Sequence, residues 1–307
     1  MNALEVDNLK KSYKYGSMLV EAVRSVSLTL AVGEVLAFLG PNGAGKTTTI
    51  KMIAGLIRPD VGRVHIAGVD PHRNPEALRL VGAVLEGNRN LYWRLTPEEN
   101  LDYFGVLKGL TRRDVRRRSR ELLERFELTS KRRTSVQKLS RGMQQKLAIA
   151  VALIHQPKLL LLDEPTLGLD VEATQYVKAL VRVIASEGCA ILLTTHQLDI
   201  AEELSDRVAI IQKGEIIAAA TTRDLIQQFS GTTYIIEVEG ELDQLRVQAL
   251  QAVGVQVQAG KVVYMGNPQG LYSVIEILKP LPLIQVKKDS PDLTEIFLKL
   301  VREKSDA

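Results

Sequence analysis

The sequence predicts an α/β fold with a mostly parallel sheet, a helical insertion and a small α+β C-terminal domain. Three observations carry this prediction. From Glu34 onward, short apolar runs alternate with segments of helical spacing, the order of strand–helix–strand units. The runs at 158–162 and 190–194 are almost continuously apolar, as in strands buried on both faces. Between the apolar run at 35–39 and the helical spacing that begins at Lys46 stands a glycine-rich loop, Gly40-Pro41-Asn42-Gly43-Ala44-Gly45-Lys46-Thr47.

Each element follows from its own local pattern. Residues 35–39 form an apolar run ending in a glycine turn, and 46–56 have helical spacing. Segments 63–67 and 80–85 read as further strands. Thr96 as N-cap and Pro97 at the first helical position open a helix over 97–107. Residues 112–126, 140–155 and 171–185 also read as helices. The three helices from Thr96 to His155 have no strong strand between them, so about 88–155 is expected to be a helical subdomain inserted in the α/β core. Beyond Thr222 the texture changes. A strand at 234–238, a helix at 242–252 and two strands at 255–257 and 261–264 turning at Ala259-Gly260 come first. A helix at 268–278 and a strand at 283–286 complete a βαββαβ order that suits a small ferredoxin-like unit. A last helix spans 291–302. The expected division is 1–222 and 223–307.

Composition sets the limits. The chain has 307 residues, 45% apolar and 25% charged, which fits one large or two unequal globular domains. The single cysteine, Cys189, has no internal partner and sits in an apolar run, which fits a reducing compartment and a buried thiol. The N-terminus lacks a basic region followed by an apolar core, so no signal peptide is expected. No stretch approaches the ~20 apolar residues needed to cross a bilayer; any membrane role must run through a partner. Net charge is +4 but unevenly placed: residues 108–133 hold eleven Lys/Arg against four Asp/Glu. That run reads as a solvated helix face or as one close to anionic lipid. Nucleic acid is not expected, because no aromatic residues interleave with the arginines.

The glycine-rich loop has the spacing of a P-loop. Its glycines let backbone N–H groups turn toward phosphate oxygens, and the helix N-terminus adds partial positive charge. The loop residues Gly40 through Thr47, with Thr48, are expected to bind nucleotide. Lys46 would reach the β- and γ-phosphates, and the Thr47 hydroxyl would bind Mg²⁺. The run Leu159-Leu160-Leu161-Leu162-Asp163-Glu164 supplies the acidic partners. A buried strand carries Asp163 to the sheet's C-terminal edge to hold Mg²⁺, and Glu164 can polarise the attacking water as general base.

Between these lies Leu139-Ser140-Arg141-Gly142-Met143-Gln144-Gln145-Lys146, which resembles the signature motif of ABC ATPases. Gly168-Leu169-Asp170 resembles that family's D-loop, and His196 after Leu192-Leu193-Thr194-Thr195 its switch histidine. Tyr13 resembles the aromatic that stacks on adenine, with Tyr15 as the alternative. The resemblance covers about residues 4–220 and places the fold among P-loop NTPases. It implies two subunits sandwiching two ATP molecules, with Ser140 and the Gly142 backbone touching the γ-phosphate in trans, His196 sensing it in cis, and Asp170 linking the sites.

Three positions depart from the family's commonest pattern. Arg141 stands for glycine, Met143 for glutamine, and Glu86 for the Q-loop glutamine, where a carboxylate can still serve as a hard Mg²⁺ ligand. These substitutions, with the C-terminal Asp292-Leu293-Thr294-Glu295-Ile296-Phe297-Leu298, resemble the branch serving ABC-2-type exporters. The resemblance therefore implies an ATPase using ATP and Mg²⁺. It would act as a homodimer on a separate ABC-2-type transmembrane subunit at the cytoplasmic face of the membrane. The cluster at 88–94, with Trp93, is expected to face that subunit. A ribosome- or DNA-directed ATPase is the rival reading, set against by one ATPase unit per chain and no room for a long coiled coil between Glu86 and Leu139. A binding-only subunit is set against by Lys46, Asp163, Glu164 and His196. His65, His72 and His155 lack metal-ligand spacing and are expected to be structural or exposed.

Overall fold

The computed structural model describes residues 2–85, 90–229, 233–240, 242–258, 261–288 and 292–303. The chain divides into two compact units, Met1–Thr222 and Arg223–Ala307.

The first unit begins with two long antiparallel strands, β1 (Asn2–Tyr15) and β2 (Met18–Ala31), that local pattern did not announce. The reason lies in their register. The pairing shifts between Val6 and Leu9, between Leu9 and Lys11, and between Lys11 and Ser12. Each shift breaks the period-2 alternation by which a half-buried strand is read. Next come β3 (Val35–Leu39), α1 (Lys46–Ile53), β4 (Val61–Ile66) and β5 (Val81–Val84). The helical subdomain follows as α2 (Pro97–Leu107), α3 (Arg112–Arg125) and α4 (Arg141–Leu153). The chain then returns to the core with β6 (Leu159–Asp163), α5 (Val171–Ser186), β7 (Ala190–Thr195) and α6 (Leu198–Leu204). The antiparallel pair β8 (Arg207–Gln212) and β9 (Glu215–Thr221) closes it.

These strands form one nine-stranded sheet in the order β4-β1-β2-β9-β8-β3-β7-β6-β5. Its centre is parallel: β3 pairs with β7 and β8, and β6 with β5 and β7. Every residue of β3, β6 and β7 is buried, which is why their sequences run apolar without alternation. Helix starts obey local chemistry. Thr96 and Glu99 form a reciprocal capping box, and Pro97 sits in the first turn of α2. Ser140 and Asp170 cap α4 and α5 through their side-chain oxygens. Half-buried imidazoles tie the layers: His72 Nε2 lies 2.9 Å from the Met52 carbonyl and His155 Nε2 3.0 Å from that of Val81. Cys189 is buried, and burial pushes its thiol pKa up to about 12.

In the second unit, α7 (Thr222–Phe229) leads into β10 (Thr233–Val238), α8 (Gln244–Ala252), β11 (Gln256–Gln258), β12 (Lys261–Met265), α9 (Pro268–Leu278), β13 (Leu283–Lys288) and α10 (Leu293–Glu303). The four strands are antiparallel in the order β11-β12-β10-β13. Ile236, Val262, Leu250, Val274 and Leu278 form the centre of its own core.

Candidate functional site

The parallel strands β3, β6 and β7 end side by side, at the edge where open α/β sheets place ligands. A cleft of ≈ 570 Å³ opens there, lined by Tyr13, Val20, Ala22, residues 42–48, Asp163, Glu164, Leu167 and His196. Its size suits a nucleotide-sized ligand.

The floor of the cleft is built by glycine. Gly43 has φ 79° and open space where a Cβ would stand, so its backbone can face a ligand directly. Gly45, at φ 106°, caps α1 without any side-chain hydrogen bond, and a Cβ there would lie 2.5 Å from the Ala22 carbonyl oxygen. The first N–H groups of α1 are thus left for an anion, in the field of the helix N-terminus. Lys46 Nζ donates to the carbonyls of Gly40 (2.7 Å) and Pro41 (3.2 Å), folding the side chain back along the loop. Burial lowers the Lys46 pKa, and the charges of Glu164 and Asp163 partly offset that.

The acidic pair stands across from the loop. Thr47 Oγ1 donates to Asp163 Oδ2 at 3.4 Å, and Thr194 Oγ1 donates to Asp163 Oδ1 at 2.5 Å. Thr47 and Asp163 thereby bring two hard oxygen donors together. Among the described residues no cluster of three or more His, Cys, Asp or Glu could cage a metal. That donor set fits a cation such as Mg²⁺, which takes few protein ligands and completes its shell with phosphate and water.

Glu164 has a left-handed backbone, φ 52°, unusual for a residue with a Cβ. Its N–H is shared between the Thr194 carbonyl (3.1 Å) and Thr194 Oγ1 (3.3 Å). The turn aims its carboxylate away from Asp163's partners. Oε1 lies 2.9 Å from His196 Nδ1; because an ionised carboxylate only accepts, Nδ1 carries the proton and donates. Oε2 is buried and without a hydrogen-bond partner. A carboxylate with one oxygen anchored and the other free can accept a proton from water.

The remaining expected residues fall as follows. Tyr13 lines the cleft from β1, and the side chain of Tyr15 lies outside the described set, as does Glu86. Ser140 and Gly142, at the start of α4, do not line the cleft. Arg141 lines a separate ≈ 400 Å³ cavity that also reaches Asp163, Glu164 and Trp93, and its guanidinium lies over Gly168 of the D-loop. Asp170 Oδ1 accepts from the Ala173 N–H. Tyr92, Trp93 and Arg94 are exposed. The sequence reading gave no role to Val20 and Ala22, which come from the irregular strand β2, nor to Thr194. The signal for Thr194 lies in the parallel register, where it pairs with Asp163.

This fold and this cleft define a P-loop ATPase. The profile of the family described as ABC transporter matches residues 23–167. The chain is 35% identical over 306 residues to the daunorubicin resistance ATP-binding protein of Streptomyces coeruleorubidus, covering 97% of this chain and 95% of that one. It is 35% identical over 311 residues to the Nod factor export ATP-binding protein I of Burkholderia orbicola, covering 100% of each. A dimeric post-hydrolysis state of an ATP-binding cassette, bound to ADP and Pi, superposes with TM-score 0.66 at 27% identity over 72% of this chain and 99% of that chain. The chain belongs to the ATP-binding subunits of ABC transporters: it binds and hydrolyses ATP to power transport. No described helix is long and apolar enough to cross a membrane.

Proposed function

We propose that the chain drives an exporter, with two copies closing around two MgATP and acting on a separate ABC-2-type transmembrane subunit at the cytoplasmic face of the membrane. The observation that carries this reading is a division of labour. The P-loop, Asp163, Glu164 and His196 meet in one cleft that Ser140 and Gly142 do not line, so the signature motif is free to complete a site on a second copy.

In that closed pair Lys46 exchanges the Gly40 and Pro41 carbonyls for β- and γ-phosphate oxygens. Thr47 and Asp163 hold Mg²⁺, which neutralises phosphate charge when bound; Glu86 is proposed as a further ligand. Tyr13 stacks on the adenine. Glu164 Oε2 takes the proton of the attacking water as its oxygen bonds to the γ-phosphorus and the bond to the β–γ bridging oxygen breaks. His196 Nδ1–H fixes the other carboxylate oxygen, and its ring contacts the γ-phosphate. The partner's signature helix presents Ser140 and the Gly142 N–H to the same phosphate. Asp170 links the two sites.

Export is supported by the names of the relatives, which concern drug resistance and Nod factor export. The exposed Tyr92-Trp93-Arg94 segment suits docking to the membrane subunit, since aromatic and arginine side chains are the usual anchors. Residues 223–307 form an accessory domain of ferredoxin-like type, supported by the order β10-α8-β11-β12-α9-β13. The test is to purify Glu164→Gln with MgATP from detergent-solubilised native membranes. A multi-span membrane protein is expected to come with it; ribosomal or DNA-associated proteins alone would overturn the reading.

A further inference from the structure

We propose that the arginine-rich outer face of α3 docks onto the anionic headgroups of a phospholipid bilayer. The proposal rests on the reading above that the chain works beside a membrane. Residues 108–133 carry a net +7, so the rest of the chain carries −3: the charge is segregated, not merely basic.

The packing of α3 fixes where that charge points. Val115, Ser119, Leu122 and Leu123 are its buried residues. At ~3.6 residues per turn, Arg113, Arg116 and Arg120 fall within about 60° of one another along one flank of the exposed side, over about 10 Å of axis. All three are exposed, and none forms an ion pair among the described residues. The helix's carboxylates are engaged to one side of this stripe: Asp114 and Glu121 both hold Arg117, and Glu121 also holds Arg118. Glu127, just past the helix, holds Lys146. Glu124 alone adds a carboxylate near the stripe. Arg112 at one end and Lys131 and Arg133 beyond the other add exposed positive charge.

An ordinary solvated face interleaves both signs; here they are sorted. The chemistry of the stripe also selects the partner. A protein interface draws its affinity from buried aromatic or apolar anchors, and single-stranded nucleic acid from stacking. The outward positions of α3 offer neither, because every one of them is charged. A bilayer surface asks only for charge. It is a diffuse, mobile array of anions to which basic residues add attraction one by one within a Debye length.

The test uses the full-length chain and sedimentation with two vesicle types, phosphatidylcholine alone and phosphatidylcholine mixed in equal parts with phosphatidylglycerol. The chain is expected to pellet with the mixed vesicles at low salt, to be released at high salt, and to ignore the neutral ones. Arg113→Gln/Arg116→Gln/Arg120→Gln should bind the mixed vesicles roughly 100-fold more weakly, while its ATPase rate, which reports intact folding, stays at the wild-type level. Equal binding to both vesicle types, no binding to either, or undiminished binding by the triple variant would overturn the proposal. No membrane subunit is present in this experiment, so its failure leaves the transporter reading standing; that reading falls only by the co-purification above.

Discussion

The proposed hydrolysis turns on Glu164, and its geometry sets it apart from the acid beside it. A left-handed backbone at a residue with a Cβ costs about 1–3 kcal/mol, and Thr194 holds it through two acceptors. Asp163 is thereby turned toward Thr47, and Glu164 toward His196. Both acids were legible in the sequence because an apolar strand ending in Asp-Glu is contiguous. Thr194 was not, since its role exists only through the pairing of β6 with β7. His155 shows a second kind of control. Its Nε2–H donates to the Val81 carbonyl, and burial, then the Lys108 ammonium, push its pKa down to about 4. The unfolded chain binds this proton near pH ~6.5. The stability carried by neutral His155 is therefore complete above that pH and is lost as pH falls toward 4, by about 3 kcal/mol in all. Urea midpoints should fall more steeply between neutral pH and about pH 4.5 in the wild-type chain than in His155→Gln; parallel profiles would remove His155 from the acid response.

Among the elements, β6 bears most on the site, because it is buried on both faces and delivers Asp163 at its end. Leu161 is fully buried within it. Leu161→Ala is expected to cost about 2–5 kcal/mol, the range for cavities that collapse only partly. Leu167→Ala, on the half-exposed loop after Glu164, should cost within about 0.5 kcal/mol. Urea denaturation reads both, and similar losses would contradict the placement of β6 at the centre of the sheet. The elements also differ in how openly they announce themselves. β3, β6 and β7 could be read because a doubly buried strand has no need of polar residues. α2 could be read because Thr96 and Pro97 mark a helix start locally. β1 and β2 could not, because their bulges shift Val6, Leu9 and Lys11 out of alternation, which hides the part of the cleft wall that Val20 and Ala22 supply.

For the whole molecule, the P-loop cleft faces outward along the C-terminal ends of the parallel strands, and the signature motif stands apart from it. The motif order in the sequence conveyed the parts, but the separation of Ser140 from the cleft is a property of the folded chain. One copy brings the loop, the acids and the histidine into the cleft; in the proposed closed pair the donors of Ser140 and Gly142 come from a second. The most direct test is sedimentation equilibrium of Glu164→Gln with and without MgATP, with bound nucleotide measured alongside. The account predicts a single 34.0 kDa chain without nucleotide and a species of twice that mass with one ATP per chain. A variant that binds ATP fully yet remains a single chain at every concentration would contradict it.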